Sequence, residues 1–186
     1  MKNNNKISYF DGKWANITRE ERYFCAELFY DIKNDINGFI KFLNNKFNKN
    51  YNTGKYWEAG FEVCFYRDYL FAKGERVKDS TYSVKRTFDL CLFSETNIII
   101  IEAKAYQNFK SAQLINLEAD LENVRKVLGK NTKELKVEAF LLCSSTNHQV
   151  IGTFEKFTWE DLYSDFNSNE IYLTADALPS REKPNK

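Results

Sequence analysis

The chain has 186 residues, of which 43% are hydrophobic, and its formal net charge is +1. This length and apolar content suit one folded domain with a substantial core and exclude extended disorder as its general state. A net charge this close to zero gives no overall attraction to nucleic acid, so any basic surface must be local. We expect a single domain over residues 1–186, with its core at about 18–145 and a disordered tail at 179–186.

The single histidine and the four cysteines exclude further classes of protein. Sites built on paired histidines cannot be made from His148 alone, and a serine or cysteine triad would need it as the only base. The cysteines are far apart and lie in apolar runs, which indicates buried reduced thiols rather than zinc ligands or disulfides. The Asn- and Lys-rich beginning shows no signal peptide, and no apolar run could span a bilayer, so we expect a cytoplasmic protein without membrane contact.

Two helices are predicted at the start of the core. Thr18 can cap the first helix, and Glu21 follows at the spacing of a capping box. Apolar residues then recur at helical intervals, at Phe24, Leu28 and Ile32. A second helix is predicted over residues 36–47, and the Asn- and Lys-rich residues up to Gly54 are typical of a loop.

Alternating and apolar runs predict the remaining elements. We expect three strands, then a helix that Gly129 ends, then a fourth strand and a short helix capped by Thr158. The predicted bounds are strands at 57–71 and at about 82–93, a third strand that runs from 98 and ends in Glu102-Ala103-Lys104, a helix at 108–128, a strand at 137–143 and a helix at 157–166.

The third strand ends in two charged residues. Four consecutive isoleucines, residues 98–101, are short and β-branched, which indicates a buried central strand. Glu102 and Lys104 follow, and since side chains alternate along a strand, these two charges emerge side by side. Charges at the boundary of a core are unfavourable unless something compensates them, and a metal ion with an anionic substrate is one such compensation.

A hairpin brings a second carboxylate to the same place. Residues 94–97 form a plausible turn, and counting back from it puts Asp89 opposite Glu102 within one residue. We therefore expect Asp89, Glu102 and Lys104 to cluster within a few ångströms, at the edge of a mixed sheet packed between helices. Two carboxylates make a hard oxygen site suited to Mg²⁺, and the lysine adds a positive charge for a phosphate or an attacking water.

Phe88-Asp89 and Glu102-Ala103-Lys104, on two strands joined by a turn, resemble the PD-(D/E)xK nuclease superfamily, which includes restriction endonucleases and many repair nucleases. The proline of the motif's name is absent, since Phe88 precedes the aspartate. The order helix, three strands, helix, strand also matches the superfamily core, so the resemblance spans roughly residues 18–145. It implies an α/β fold with a restriction-endonuclease-like αβββαβ core, a mixed four-stranded sheet flanked by helices.

The resemblance also implies an activity and its residues. It implies a DNA endonuclease of restriction, defence or repair type, dependent on Mg²⁺ with Mn²⁺ as a substitute, with RNA as the alternative substrate. Asp89, Glu102 and the Ala103 carbonyl would hold the metal, and Lys104 would position water or stabilise charge on the phosphate. A homodimer, as in many restriction enzymes, would supply two cutting sites.

Flanking residues extend the expected site. By the same resemblance, a glutamate on the first helix, Glu21, is a candidate extra metal ligand, with Glu62 as its rival and the helix cap as the plainer role for Glu21. A glutamine after the third strand would orient the lysine or the substrate, and spacing favours Gln113 over Gln107. Three basic residues flank the patch and could meet phosphates: Lys85, Arg86 and Lys110.

Two other interpretations stay open. The three motif residues could be an ordinary cross-strand ion-pair cluster. The chain could also be a catalytically inactive protein on the nuclease fold that serves as an interaction or nucleic-acid-binding module.

Overall fold

The computed structural model describes residues 18–75, 82–83, 85–129, 134–149 and 152–177. Within these ranges the elements follow one another as α1 (Glu21–Asn34), α2 (Ile36–Phe47), β1 (Glu58–Val63), α3 (Phe65–Ala72), β2 (Phe88–Phe93), β3 (Asn97–Ala103), α4 (Ser111–Leu128), β4 (Lys136–Cys143), β5 (Glu155–Thr158), α5 (Trp159–Asp165) and α6 (Ile171–Asp176).

The strands form one mixed sheet in the order β1-β2-β3-β4-β5. β1, β2 and β3 pair antiparallel, whereas β4 lies parallel to β3, and β5 lies parallel to β4. Helix α4 makes the crossover from β3 to β4 that a parallel pair requires. The predicted α/β fold with a mixed sheet flanked by helices is confirmed, but the sheet has five strands rather than four, because β5 was not foreseen.

Both faces of the sheet are covered, which explains the run of isoleucines. Every residue of β3 is buried. Ile99 and Ile101 pack on the face that α1, α2, α5 and α6 cover, while Ile98 and Ile100 pack on the face of α3 and α4. A strand in contact with helices on both sides must be apolar throughout, as parallel-sheet strands are.

Two predicted strands are shorter than expected. The strand predicted over 57–71 is β1 followed by the helix α3, so α3 interrupts the predicted αβββαβ order. Glu62, next to the last residue of β1, has a φ of 53°, in the left-handed region, and α3 begins three residues later. The strand predicted over 82–93 is regular only in β2. Because aromatic residues favour strands, the sequence predicted a strand where the helix α3 lies. The buried residues Phe65, Tyr66 and Leu70 share one face of this helix.

Of the helix starts predicted from the sequence for α1, α2 and α5, two are confirmed and one is wrong. The bounds predicted for α2 are confirmed, and Thr158 caps α5 in a capping box with Asp161. The capping box predicted at Thr18 and Glu21 is wrong, since α1 begins after Glu20 without a side-chain cap. The apolar residues predicted for α1 are all fully buried. The predicted tail at 179–186 lies outside the described residues.

The cysteines are free thiols as predicted, although Cys64 is only half-buried. All four cysteines are free, and three of them, Cys25, Cys91 and Cys143, are buried. No helix in the described part of the chain is long and apolar enough to cross a membrane.

Candidate active site

The hairpin of β2 and β3 places Asp89 beside the end of the isoleucine strand. Leu90 pairs with Ile101 in the antiparallel register, so the next pair along is Asp89 with Glu102. The backbone N–H of Ala103 donates to Asp89 Oδ2 at 2.8 Å. The predicted opposition of the two carboxylates is therefore confirmed, at the carboxyl end of β3, the central strand of the sheet.

Glu102 is held by two side chains from opposite directions. Its side chain is almost fully buried and lies 2.7 Å from Arg86 Nη2 through Oε1. Gln113, in the first turn of α4, donates from Nε2 to Oε2 at 3.2 Å. Burial, reinforced by the charge of Asp89, raises the pKa of Glu102 to about 7 despite the nearby Arg86.

Lys104 contacts the first helix. Its Nζ lies 2.7 Å from Glu21 Oε1 and also donates to the Ala103 carbonyl at 2.8 Å. The other oxygen of Glu21 accepts from the backbone N–H of Ala105 at 3.2 Å. Burial acts to lower the pKa of Lys104, but Glu21, Asp89 and Glu102 outweigh it and raise that pKa above its usual value. Lys104 is therefore an ammonium at neutral pH, surrounded by three carboxylates.

The sequence offered two alternative glutamates and two alternative glutamines for this site, and the structure places one of each pair next to the motif residues. Glu21 contacts Lys104, whereas Glu62 pairs with Arg22 Nε at 3.1 Å. Gln113 reaches Glu102, whereas Gln107 lines a separate cavity. The structure thus brings together four carboxylate and amide side chains around Lys104 and Ala103: Asp89, Glu102, Glu21 and Gln113.

The three basic residues predicted to meet phosphates differ in what they face. Lys85 and Lys110 are exposed. Arg86 is not free for a phosphate in this structure, because its guanidinium binds Glu102 and also lies 2.6 Å from Asp120 Oδ2 through Nε. A contact of Arg86 with a phosphate stays a prediction, and it would require the guanidinium to leave one of these carboxylates.

Two residues of this network were missed in the sequence. Asp120 lies in α4 and is only 6% exposed, and the hydroxyl of Tyr66 donates to its Oδ1 at 2.6 Å. The available signal was spacing, since Asp120 stands three residues after Leu117 and four before Val124, both fully buried. A carboxylate on the apolar face of a helix requires partners, and Arg86 and Tyr66 supply them.

The donor atoms match the chemistry of Mg²⁺, but they are engaged with one another. Two carboxylates and a main-chain carbonyl are hard oxygen ligands of the kind this ion prefers. Glu102 binds Arg86 and Gln113, and the Ala103 carbonyl accepts from Lys104. Among the described residues, no group of three or more His, Cys, Asp or Glu side chains is arranged to hold a metal ion. These residues fit Mg²⁺ in the chemical type of their ligand atoms. To bind the ion, Glu102 would have to release Arg86 or Gln113.

The raised pKa of Glu102 predicts how stability depends on pH. The folded state holds this proton more tightly than the unfolded state, whose Glu pKa is 4.5, so the stabilisation is full below pH 4.5 and disappears as pH rises through about 7. In EDTA, we expect the unfolding free energy of the wild type to fall over this interval relative to Glu102→Gln, by at most about 3 kcal/mol. Urea denaturation at several pH values measures this difference, and parallel profiles would contradict it.

Comparison with known proteins identifies no relative of this chain. No protein-family model, no curated protein and no solved structure matches the chain. The resemblance to the PD-(D/E)xK superfamily therefore rests on the motif residues and on an element order that α3 interrupts.

Proposed function

We propose that this protein is a metal-dependent nuclease with a restriction-endonuclease-like core that hydrolyses phosphodiester bonds, with DNA as its substrate. The observation that carries the proposal is the convergence of Asp89, Glu102 and Lys104 at the end of one buried strand, from the two sides of a hairpin. Glu21 and Gln113 join this cluster from two different helices. Glu21 bonds Lys104 and Gln113 bonds Glu102, so the cluster extends beyond a single structural ion pair.

Each residue has a proposed part in the reaction. Asp89, Glu102 and the Ala103 carbonyl would hold Mg²⁺ or Mn²⁺, which supplies Lewis-acid activation of water and charge neutralisation when bound. Lys104 stabilises negative charge that builds on the phosphate oxygens. Glu21 keeps the Lys104 ammonium charged and oriented through its contact at 2.7 Å. Gln113 orients Glu102.

The setting of the protein follows from the same proposal. Four free cysteines, three of them buried, suit a reducing cytoplasm. A homodimer would provide two cutting sites and a larger surface for a DNA duplex. Local basic residues such as Lys85 and Lys110 would contact its backbone, because the overall charge of +1 supplies no general attraction.

One observation favours a second candidate function. Glu102 already has Arg86 and Gln113 as partners, so its charge is compensated without a metal. A nuclease-fold protein that binds nucleic acid or another partner without cutting would keep this arrangement permanently. Metal binding separates the two functions, because only the nuclease requires Glu102 to leave Arg86.

Incubation of the protein with supercoiled, linear and single-stranded DNA and with RNA, in Mg²⁺, Mn²⁺ or EDTA, tests the proposal directly. We expect cleavage of DNA with either metal and none in EDTA. Asp89→Asn keeps an acceptor for the Ala103 N–H but removes the charge that a metal requires, so it should abolish metal binding and cleavage. Glu138→Gln is the matched control, since it changes a half-buried strand carboxylate that pairs with Lys49 instead.

Failure takes two distinct forms. Full cleavage by Asp89→Asn would place the active site elsewhere in the chain. Absence of both cleavage and calorimetric metal binding in the wild type would favour the non-cutting function.

A further inference from the structure

A separate cavity lies next to the candidate active site. It has a volume of about 490 Å³ and opens between residues 105–108, which follow β3, and residues 144–149, which follow β4, with 176–177 closing one side. Small-molecule sites are typically about 300–1,000 Å³. Ligands of open α/β sheets bind outside the carboxyl ends of parallel strands, which is where this cavity lies.

The lining is polar but almost uncharged. No lysine or arginine is among the described residues that line it, which argues against a site for a phosphate group. Its one carboxylate, Asp176, already accepts from the backbone N–H of Ser145 at 2.7 Å. The other polar side chains include four amides and the single histidine: Gln107, Asn108, Asn147, Gln149 and His148. Amides present a donor and an acceptor together, which is the pattern that the edge of a nucleobase complements.

The walls of the cavity are fixed by hydrogen bonds, while some of its polar groups are exposed. Gln149 accepts from the Phe109 N–H at 2.9 Å and donates to the Phe109 carbonyl at 2.6 Å, which joins the two loops. Gln107 and Asn108 are exposed beside this clamp. Loops fixed in this way lose little backbone freedom when a ligand binds, and the exposed amides are accessible to it.

The cavity begins where the candidate active site ends. Ala105, which lines it, is bonded through its N–H to Glu21, and the preceding residue is Lys104. Tyr106 adds an aromatic side chain to the lining; the guanidinium of Arg19 lies 5.2 Å over its ring, so a base would stack on the opposite face or against the ring edge. A nucleic acid strand whose phosphate lies at Lys104 therefore has a neighbouring base within reach of this lining.

We propose that this cavity receives one unpaired nucleobase of the substrate strand, next to the phosphate that is cut. The inference rests on the proposed nuclease function, whose substrate it defines as a strand with an accessible base. The amide groups recognise the base edge, whereas a phosphate meets no lysine or arginine among the described residues of the lining. Base recognition at this position would make cleavage depend on the nucleotide beside the cut.

The test uses His148 as a reporter, because it is the only histidine of the chain and its ring signals in NMR spectra need no assignment. Titrations of the full chain in EDTA with adenosine, guanosine, cytidine and thymidine should shift these signals to saturation with at least one of the four. Inorganic phosphate should leave them unchanged at constant pH. The double variant Gln107→Ala, Asn108→Ala should weaken nucleoside binding about tenfold or more, whereas Asn45→Ala on α2 should not.

A second arm identifies the source of the base. A trinucleotide should bind more tightly than the best nucleoside, and Lys104→Ala should remove that gain, because only a strand joins this cavity to the active site. The inference is overturned if no nucleoside gives a saturable shift, if phosphate shifts His148 as strongly, or if the trinucleotide gains nothing. Metal-dependent cleavage without nucleoside binding would overturn this inference alone, while nucleoside binding without cleavage would overturn the nuclease proposal.

Discussion

Replacing Lys104 with alanine is expected to slow DNA cleavage by about a hundredfold to a thousandfold, the usual effect of removing one group that stabilises transition-state charge. Metal affinity should persist, because an ammonium is no ligand and its charge opposes that of the cation. Lys104→Arg should restore little activity, since a planar guanidinium does not replace a compact ammonium held between Glu21 and the Ala103 carbonyl. Cleavage on gels and metal binding by calorimetry, on the same preparations, measure the two effects separately.

The chain offers a matched control for this variant. Lys46 pairs with Asp161 Oδ1 at 2.7 Å, the same distance as the pair of Lys104 with Glu21, but it belongs to α2 and contacts α5. Lys46→Ala should therefore cleave at the wild-type rate. Equal rates for Lys104→Ala and the wild type would make Lys104 a structural residue and leave the motif as a resemblance only.

The parts of this site that the sequence predicted are local in the chain. Asp89 and Glu102 are separated by one hairpin, so the turn alone determines their pairing, and the register of Leu90 with Ile101 agrees with the count. Side-chain alternation in a strand then places Glu102 without knowledge of the rest of the fold.

The parts that the sequence did not predict depend on distant segments or on short elements. Arg86 joins Glu102 of β3 to Asp120 of α4, and no spacing rule relates these three positions. Helix α3 was hidden because aromatic residues suit both a strand and a buried helix face, so propensity could not decide between them. β5 has only four residues, too few for alternation to be recognised.

Glu21 fits two sequence patterns but takes only one of the two roles in the structure. Its position relative to Thr18 fits a capping box, yet its side chain reaches Lys104 and the Ala105 N–H. Burial raises the pKa of Glu21, although Lys104 acts to lower it. A buried carboxylate gains more from an ammonium and a backbone N–H together than from a cap exposed to water, which accounts for the choice.

Replacing Arg86 with leucine is expected to lower the unfolding free energy by about 3–5 kcal/mol, the usual effect of removing one partner of a buried ion pair. Arg86 is the cation between two carboxylates that are nearly inaccessible, with 3% and 9% of the side chains of Glu102 and Asp120 exposed. Arg67→Ala is the control, because its pair with Asp68 is more than half exposed and its loss should leave the unfolding free energy almost unchanged. Urea denaturation in EDTA measures both variants.

Addition of Mg²⁺ turns the same pair of measurements into a test of the proposed metal site. Without Arg86, Glu102 has lost the cation that compensates it, so a metal ion at Asp89 and Glu102 no longer competes with a guanidinium. Mg²⁺ should therefore stabilise Arg86→Leu more than it stabilises the wild type, by the linkage of binding to folding. Arg67→Ala should respond to Mg²⁺ as the wild type does. An equal response of all three proteins would mean that Glu102 does not bind the metal, and that Arg86 belongs to a permanent structural network with Asp120 and Tyr66.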